Sequence, residues 1–270
     1  MNTFEGNDKM TSNIKVEISD RIQTITLDRP EKKNAFNTEM INEWVTALEE
    51  AQKDDNVHVV VITGAGDSFC SGGDVTLMQK GSDSRLDAKN LLWEDIHRVA
   101  FTMQKIDKPV IAAINGPAVG AGLDMALMAD IRTMAEDARV SEGYVTVGLI
   151  PGDGGAYYLP RLVGQSKALE LLWTGRFVDS REALEIGLVD FVFSTETLEK
   201  QTLALAKRIA DGPQIAVRMI KRAVRQSLKS DLETSLDLIS SHMAIVTATE
   251  DHKEGVNAFL ERRKPNFIGK

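Results

Sequence analysis

The sequence predicts an α/β core that gives way to a helical C-terminal region, and three observations carry the prediction. Two β-branched apolar runs, over 57–63 and 110–114, stand on either side of a long helical pattern over 86–105. Strand, long helix and strand make a crossover unit, which implies a parallel sheet. A third strand, over 130–135, follows a short helix over 120–129, so the unit repeats. From Gly164 onward the apolar spacing is wholly helical.

Taken in order, residues 1–13 are polar, include Gly6 and show no periodicity, which marks them as a disordered leader. Ile14, Val16 and Ile18 alternate, as do Ile22, Thr24 and Thr26 against Ile25 and Leu27. With Ser19, Asp20 and Arg21 between the two runs, the segment predicts a hairpin. Thr38 opens an amphipathic helix that places Met40, Ile41, Trp44, Val45 and Leu48 on one side, and Asp54 and Asp55 close it. The run over 57–63 ends at a glycine, and 110–114 stops at Asn115, Gly116 and Pro117, as buried strands do. Later helices are predicted over 165–174, 180–186, 198–210, 213–228 and 232–260, the last broken near 249–251. The domain reading is a core over 14–195 that carries the site and a helical region over 196–270.

Composition narrows the function classes. With 270 residues, 43% hydrophobic and 27% charged, the chain has material for a sizeable core, which excludes a disulfide mini-protein, a collagen-like repeat and a disordered tail. Thirty-two basic residues against 40 acidic give a net charge of -8, and no stretch concentrates Lys and Arg. Nucleic acid is therefore not an expected partner. Cys70, the only cysteine, cannot close a disulfide within the chain, and residues 1–13 lack an apolar signal core. Both point to the cytoplasm. The longest apolar runs, such as 118–129, are interrupted by Gly and Asp and fall short of the roughly 20 residues a membrane span needs, so no membrane association is expected.

Three loops put small residues directly after an apolar strand: 64–74 (GAGDSFCSGGD), 115–122 (NGPAVGAG) and 148–155 (GLIPGDGG). Glycine lets backbone N–H groups approach a ligand closely, and three such loops in succession favour a site over three tight turns. A phosphate-cradling G-x-x-x-x-G-K-S/T is absent, and neither G-A-G continues to a third glycine at dinucleotide spacing. Ser71 and Ser141 lack a nucleophile elbow, so a serine hydrolase is not indicated. His58, His97, His242 and His252 show no ligand spacing with Cys70; they read as surface or helix-face histidines, and no metal site is expected. Two carboxylates matter more. Asp124 has Gly120, Ala121, Leu127 and Met128 as its helical neighbours and no cation in local reach, which raises a pKa and suits proton transfer near neutral pH. The competing reading is an acid that the helix dipole favours in a first turn. Asp153, between Gly152 and Gly154 ahead of the helical residues 157–162, reads as an N-cap.

The segments 30–37 (PEKKNAFN), 60–64 (VVITG) with 69–74 (FCSGGD), 108–116 (KPVIAAING), 129–132 (ADIR), 147–152 (VGLIPG) and 185–189 (EIGLV) resemble the crotonase (enoyl-CoA hydratase/isomerase) superfamily. The resemblance runs in order and at family spacing from about residue 14 to residue 267. It implies a crotonase-like superhelix of ββα units, with C-terminal helices that assemble a homotrimer or homohexamer. It also implies an acyl-CoA thioester substrate, with coenzyme A present only as part of that substrate and no metal or redox cofactor. By position, the family's oxyanion hole falls on the backbone N–H groups of Gly73 and Ala121, which would stabilise a thioester enolate. Lys32, Asn34, Ala35 and Phe36, then Ser71, Gly72, Asp74, Val75 and Thr76, together with Gly120, would line the path of CoA and substrate. Phe259 with Arg262, Arg263 and Lys264 would approach the CoA phosphates; a solvated helix end is the alternative. The acyl tail would lie along 77–92 and Trp93, and Cys70 would serve by being small.

One departure limits the resemblance. Hydratases of the family carry two glutamates across the substrate double bond, whereas this chain has Asp124 at the first position and Tyr144 at the second. Glu142, Tyr144 and Asp153 are all candidates for the missing second role. Dienoyl-CoA isomerase-like members also carry aspartate at the position of Asp124, and they place another one position before Asp153. The expected reaction is hydration of a 2-enoyl-CoA. The alternatives are an enoyl- or dienoyl-CoA double-bond isomerase, acyl-CoA hydrolysis, and a non-catalytic acyl-CoA-binding protein.

Overall fold

In the computed structural model, which describes residues 12–74 and 84–270, the chain begins with the expected hairpin. Strands β1 (Ile14–Ser19) and β2 (Ile22–Leu27) pair antiparallel with Ser19 opposite Ile22. Only Asp20 and Arg21 lie between them, both at positive φ, the backbone that a two-residue turn matching the strand twist demands. Helix α1 (Thr38–Lys53) starts one residue earlier in its capping than the sequence suggests: Asn37, not Thr38, accepts the Met40 N–H, at 2.9 Å.

Strands β3 (Val59–Gly64) and β4 (Val110–Ile114) extend the sheet in parallel, as does β6 (Ile131–Ala135) beyond them. The intervening β5 (Ala118–Val119), β7 (Arg139–Ser141) and β8 (Val178–Asp179) form a small three-stranded sheet instead. Because both faces of the main sheet are covered, β3 reads as an unbroken apolar run. Val60 and Ile62 pack with Met40 and Trp44 of α1, while Val59 and Val61 face Ala206 and Ala210 of the helix Leu198–Ala210.

The expected long helix over 86–105 is divided: α2 (Arg85–Asn90) and α3 (His97–Lys105) are joined by a π-helical turn, Leu91–Ile96. Then come α4 (Ala121–Leu127), α5 (Gly155–Val163), α6 (Gln165–Thr174), α7 (Ser180–Glu185) and α8 (Leu198–Ala210). The wholly helical reading beyond Gly164 needs correction, because β8 and a further strand, β9 (Phe191–Phe193), interrupt it. The buried Arg132 explains why β9 joins the sheet edge beside β6. Its guanidinium donates to the Leu188 carbonyl at 2.9 Å and to the Asp190 carboxylate at 2.9 Å, which draws the approach to β9 onto β6.

The C-terminal region comprises α9 (Gln214–Ser227), α10 (Leu232–Thr247) and α11 (Glu250–Glu261), broken where expected. Thr249 caps α11 by accepting the His252 N–H at 3.0 Å. Helix α9 docks on the core through Lys221 and Arg225, which pair with Asp130, and through Arg218, which pairs with Asp107 at 2.7 Å. Leu232, Leu236, Met243, Ile245, Phe259 and Leu260 are exposed on α10 and α11. No described helix is long and apolar enough to cross a membrane.

Candidate active site

The glycine-rich loops after β3 and β4 are stitched to one another and to the segment before α1. Phe36 N–H donates to the Gly72 carbonyl at 2.9 Å, Asp74 N–H to the Phe36 carbonyl at 2.9 Å, and Ser71 N–H to the Lys33 carbonyl at 3.0 Å. Cys70 bridges to Ala118. Gly122 makes that approach possible, since a Cβ there would lie 2.1 Å from the Cys70 carbonyl oxygen. A Cβ at Gly72 would likewise lie 3.6 Å from the Ala121 nitrogen, so the first loop runs directly beside the start of α4. Gly73 and Ala121 thus sit on adjoining strands of backbone, and neither N–H donates to an acceptor among the described residues. Two free N–H groups on adjoining rigid loops can serve a developing oxyanion.

The residues expected along the CoA path divide into two sets. Lys32 and Ser71 are exposed, and Gly73 is half-buried. Ala35, Phe36, Gly72, Asp74 and Gly120 are buried. Asn34, expected to touch substrate, has a fully buried side chain that folds the loop instead. Its Nδ2 donates to the carbonyls of Ala65 at 2.8 Å and Ser68 at 2.7 Å, and its Oδ1 accepts the Arg29 N–H at 3.0 Å. Asp74 pairs with Arg29 at 3.0 Å. Val75 and Thr76 lie outside the described residues, as do residues 77–83 of the stretch assigned to the acyl tail. Arg263 is engaged by Glu254 and Glu261 at the end of α11, which matches the helix-end reading of the C-terminal basic group. Burial pushes the Cys70 thiol up to about 12, so it is inert.

The three carboxyls converge. Asp124, on α4, is completely buried, and Glu142 and Asp153 nearly so. Tyr144 joins two of them: its hydroxyl lies 2.7 Å from Asp124 Oδ2 and 2.9 Å from Asp153 Oδ2. A phenol has one proton to donate, so both contacts are hydrogen bonds only if one carboxyl brings a proton of its own. Asp124 Oδ2 also accepts the Asp153 N–H at 3.2 Å. The Tyr144 hydroxyl thus links the two carboxyls, and a proton can pass between Asp153 and Asp124 through it.

Burial, opposed by the Tyr144 hydrogen bond and reinforced by Asp153, raises Asp124 from its ordinary value to about 6. Burial raises Asp153, Tyr144 and Glu142 as well, the last strongly. Asp153 does not cap α5 as expected: Gly154 occupies the cap position without a side-chain bond, and the Asp153 carboxyl turns inward to Tyr144. His97 was expected on a surface or helix face. It is half-buried, and its Nε2–H donates to the Gly152 carbonyl at 2.7 Å beside Asp153. The i, i+4 series Trp93, His97 and Phe101 is the sequence signal for it. These rings, with Gly152, Asp153 and Tyr157, line an open cleft of about 710 Å³.

A model of the family described as enoyl-CoA hydratase/isomerase matches residues 17–270. The chain belongs to the enoyl-CoA hydratase/isomerase family. Crotonyl-CoA hydratase of Syntrophomonas wolfei is 36% identical over 259 residues, covering 96% of this chain and 98% of the relative. The 1,2-epoxyphenylacetyl-CoA isomerase of Escherichia coli is 35% identical over 252 residues, covering 92% and 95%. The crystal structure of enoyl-CoA hydratase from Bacillus anthracis superposes with a TM-score of 0.89 at 35% identity, covering 96% of this chain and all of that one. The family thus includes both hydratases and isomerases on this fold, and the paired loops with the buried Asp124 are where this member holds its candidate chemistry.

Proposed function

We propose that this family member hydrates a 2-enoyl-CoA, and the observation that carries the reading is the bonded series Asp153, Tyr144, Asp124, in which a phenol can pass a proton between two buried carboxyls. Hydration needs a base for the attacking water and an acid for the adjacent carbon. Asp124, ionised near neutral pH, takes a proton from water as its oxygen bonds to C3. Charge moves to the thioester oxygen, where Gly73 and Ala121 N–H groups each contribute on the order of a hundred- to a thousand-fold in rate. Asp153, through Tyr144, supplies the proton to C2. The phenol then returns a proton from Asp124 to Asp153, and the site is reset. Water is consumed whole, so the reaction calls for no redox or metal cofactor.

The acyl group occupies the aromatic-lined cleft next to Asp153, and CoA runs past Lys32 and Ser71. The exposed apolar side chains of α10 and α11 support a homotrimer or homohexamer built on region 196–270, which sedimentation equilibrium tests. A second reading, double-bond isomerisation, is favoured by Tyr144 standing where hydratases of the family carry their second glutamate. One carboxylate suffices to remove a proton at one carbon and return it at another. Incubation with crotonyl-CoA and, separately, with a 3-enoyl-CoA decides. Loss of conjugated enoyl absorbance with the first is the expected result, its appearance with the second establishes isomerisation, and turnover of neither leaves a binding protein.

A further inference from the structure

Glu142 is the buried acid that this reaction leaves unused. It follows β7, is 2% exposed, and has both oxygens beside Gly155, where Asp124 Oδ1 also lies. Counted as carboxylates, both Glu142 oxygens and Asp124 Oδ1 are buried without a hydrogen-bond partner, although all three gather around one point beside Gly155. A bond between two carboxyl groups requires a proton on one of them. Asp124 Oδ2 already accepts from Tyr144 and from the Asp153 N–H, which places the charge on Asp124 and the proton on Glu142.

Gly155, the first residue of α5, shows how closely the acids meet. A Cβ at that position would lie 2.4 Å from Asp124 Oδ1 and 3.0 and 3.1 Å from the two Glu142 oxygens. A side chain there would separate them. The other titratable groups facing the pair are Tyr144 and Asp153, with His97 beyond Asp153. Among the described residues no lysine or arginine pairs with any of the three acids, and they are not arranged to hold a metal ion. With no cation to share the charge, three buried carboxyls cannot all ionise.

We propose that Glu142 is a positioning residue held in its acid form, whose O–H donates to Asp124 Oδ1 and leaves Asp124 the single carboxylate of the site. Donors fixed on both oxygens hold the Asp124 carboxylate plane toward the substrate. This deepens the reading of Asp124 as base, and its test has one arm independent of that reading.

That arm is infrared spectroscopy of the full-length, unliganded enzyme between pH 7 and 8, where protonated carboxyls absorb apart from carboxylates. Glu142→Gln removes one protonated-carboxyl band; an unchanged spectrum shows Glu142 ionised and overturns the proposal, whatever reaction the enzyme performs. The second arm is the pH dependence of kcat/KM. Glu142→Gln exchanges one neutral donor for another and leaves the acidic limb in place. Glu142→Leu removes the donor and moves that limb up by about one pH unit, with about a tenfold loss at low pH. A limb that moves down in Glu142→Gln reveals a lost negative charge and contradicts the proposal, as does an unmoved limb in Glu142→Leu. If the leucine variant does not fold, the glutamine variant and the spectrum decide.

Discussion

Asp124 and Asp130 lie six residues apart at opposite ends of one short segment, and their surroundings differ in kind. Asp130 accepts the Val110 N–H at 2.8 Å and is paired with Lys221 and with Arg225 at 3.1 Å; nearby Asp107 holds Arg218. Asp124 meets a phenol, backbone amides and two other acids. Burial alone would push Asp107 up, but the Arg218 hydrogen bond and charge, with Gln52, carry it below its ordinary value. At Asp124 nothing cationic opposes burial, and its pKa rises to about 6. An acid given a cation is a fastener that keeps its charge. An acid denied one can exchange a proton near neutral pH, and that difference separates the docking of α9 from the chemistry of the site.

Exchanging the roles of the two aspartates is the sharpest way to break the contrast. Asp124→Asn is expected to cost about a thousandfold or more in kcat, about 4 kcal/mol of barrier, with the fold retained by circular dichroism. Asp130→Ala is expected to do the reverse. It strands Lys221 and Arg225 and lowers unfolding free energy by about 3 kcal/mol in urea titrations, while kcat per folded molecule stays within about twofold. Tyr144→Phe, which keeps the ring and cuts the link to Asp153, is expected to lower kcat about a hundredfold without a comparable change in KM.

The pH dependence of stability is the smallest effect and carries opposite signs. The folded-state pKa of Asp124 is raised, so its contribution is fully present below about 4 and is lost as pH rises through about 6. That span corresponds to at most about 3 kcal/mol. Asp124→Asn escapes the loss but accepts its hydrogen bonds less well, so thermal melts at pH 8 should show it about 1 kcal/mol more stable than the wild type. Asp107 is lowered, so its contribution is present above about 4 and is lost as pH falls. Asp107→Asn should therefore lose its deficit in acid.

Much of this was legible in the sequence where the signal is local. The apolar neighbours of Asp124 announced an uncompensated carboxylate, and the period-two and helical patterns located the sheet and most helices. What escaped depends on distant contacts. Strand β9 is three residues long and exists because Arg132 draws its approach in from 58 residues away. Asp153 looks like a cap until Tyr144 is seen to bind it, and Asn34 looks like a ligand contact until its amide is found inside the loop it folds. His97 meets Gly152 across 55 residues, a separation at which spacing carries no information. Gly155 could be read as one more turn glycine; its meaning appears only when Asp124 and Glu142 occupy the space a methyl group would need.

The most direct test is the pH profile of kcat/KM on the enoyl-CoA that the enzyme turns over. A single uncompensated carboxylate acting as base predicts activity that rises tenfold per pH unit below about 6 and levels off above it, with the rise abolished in Asp124→Asn. A profile that is flat from pH 5 to 8, or a rise that survives in Asp124→Asn, would contradict the assignment of Asp124 as the proton carrier.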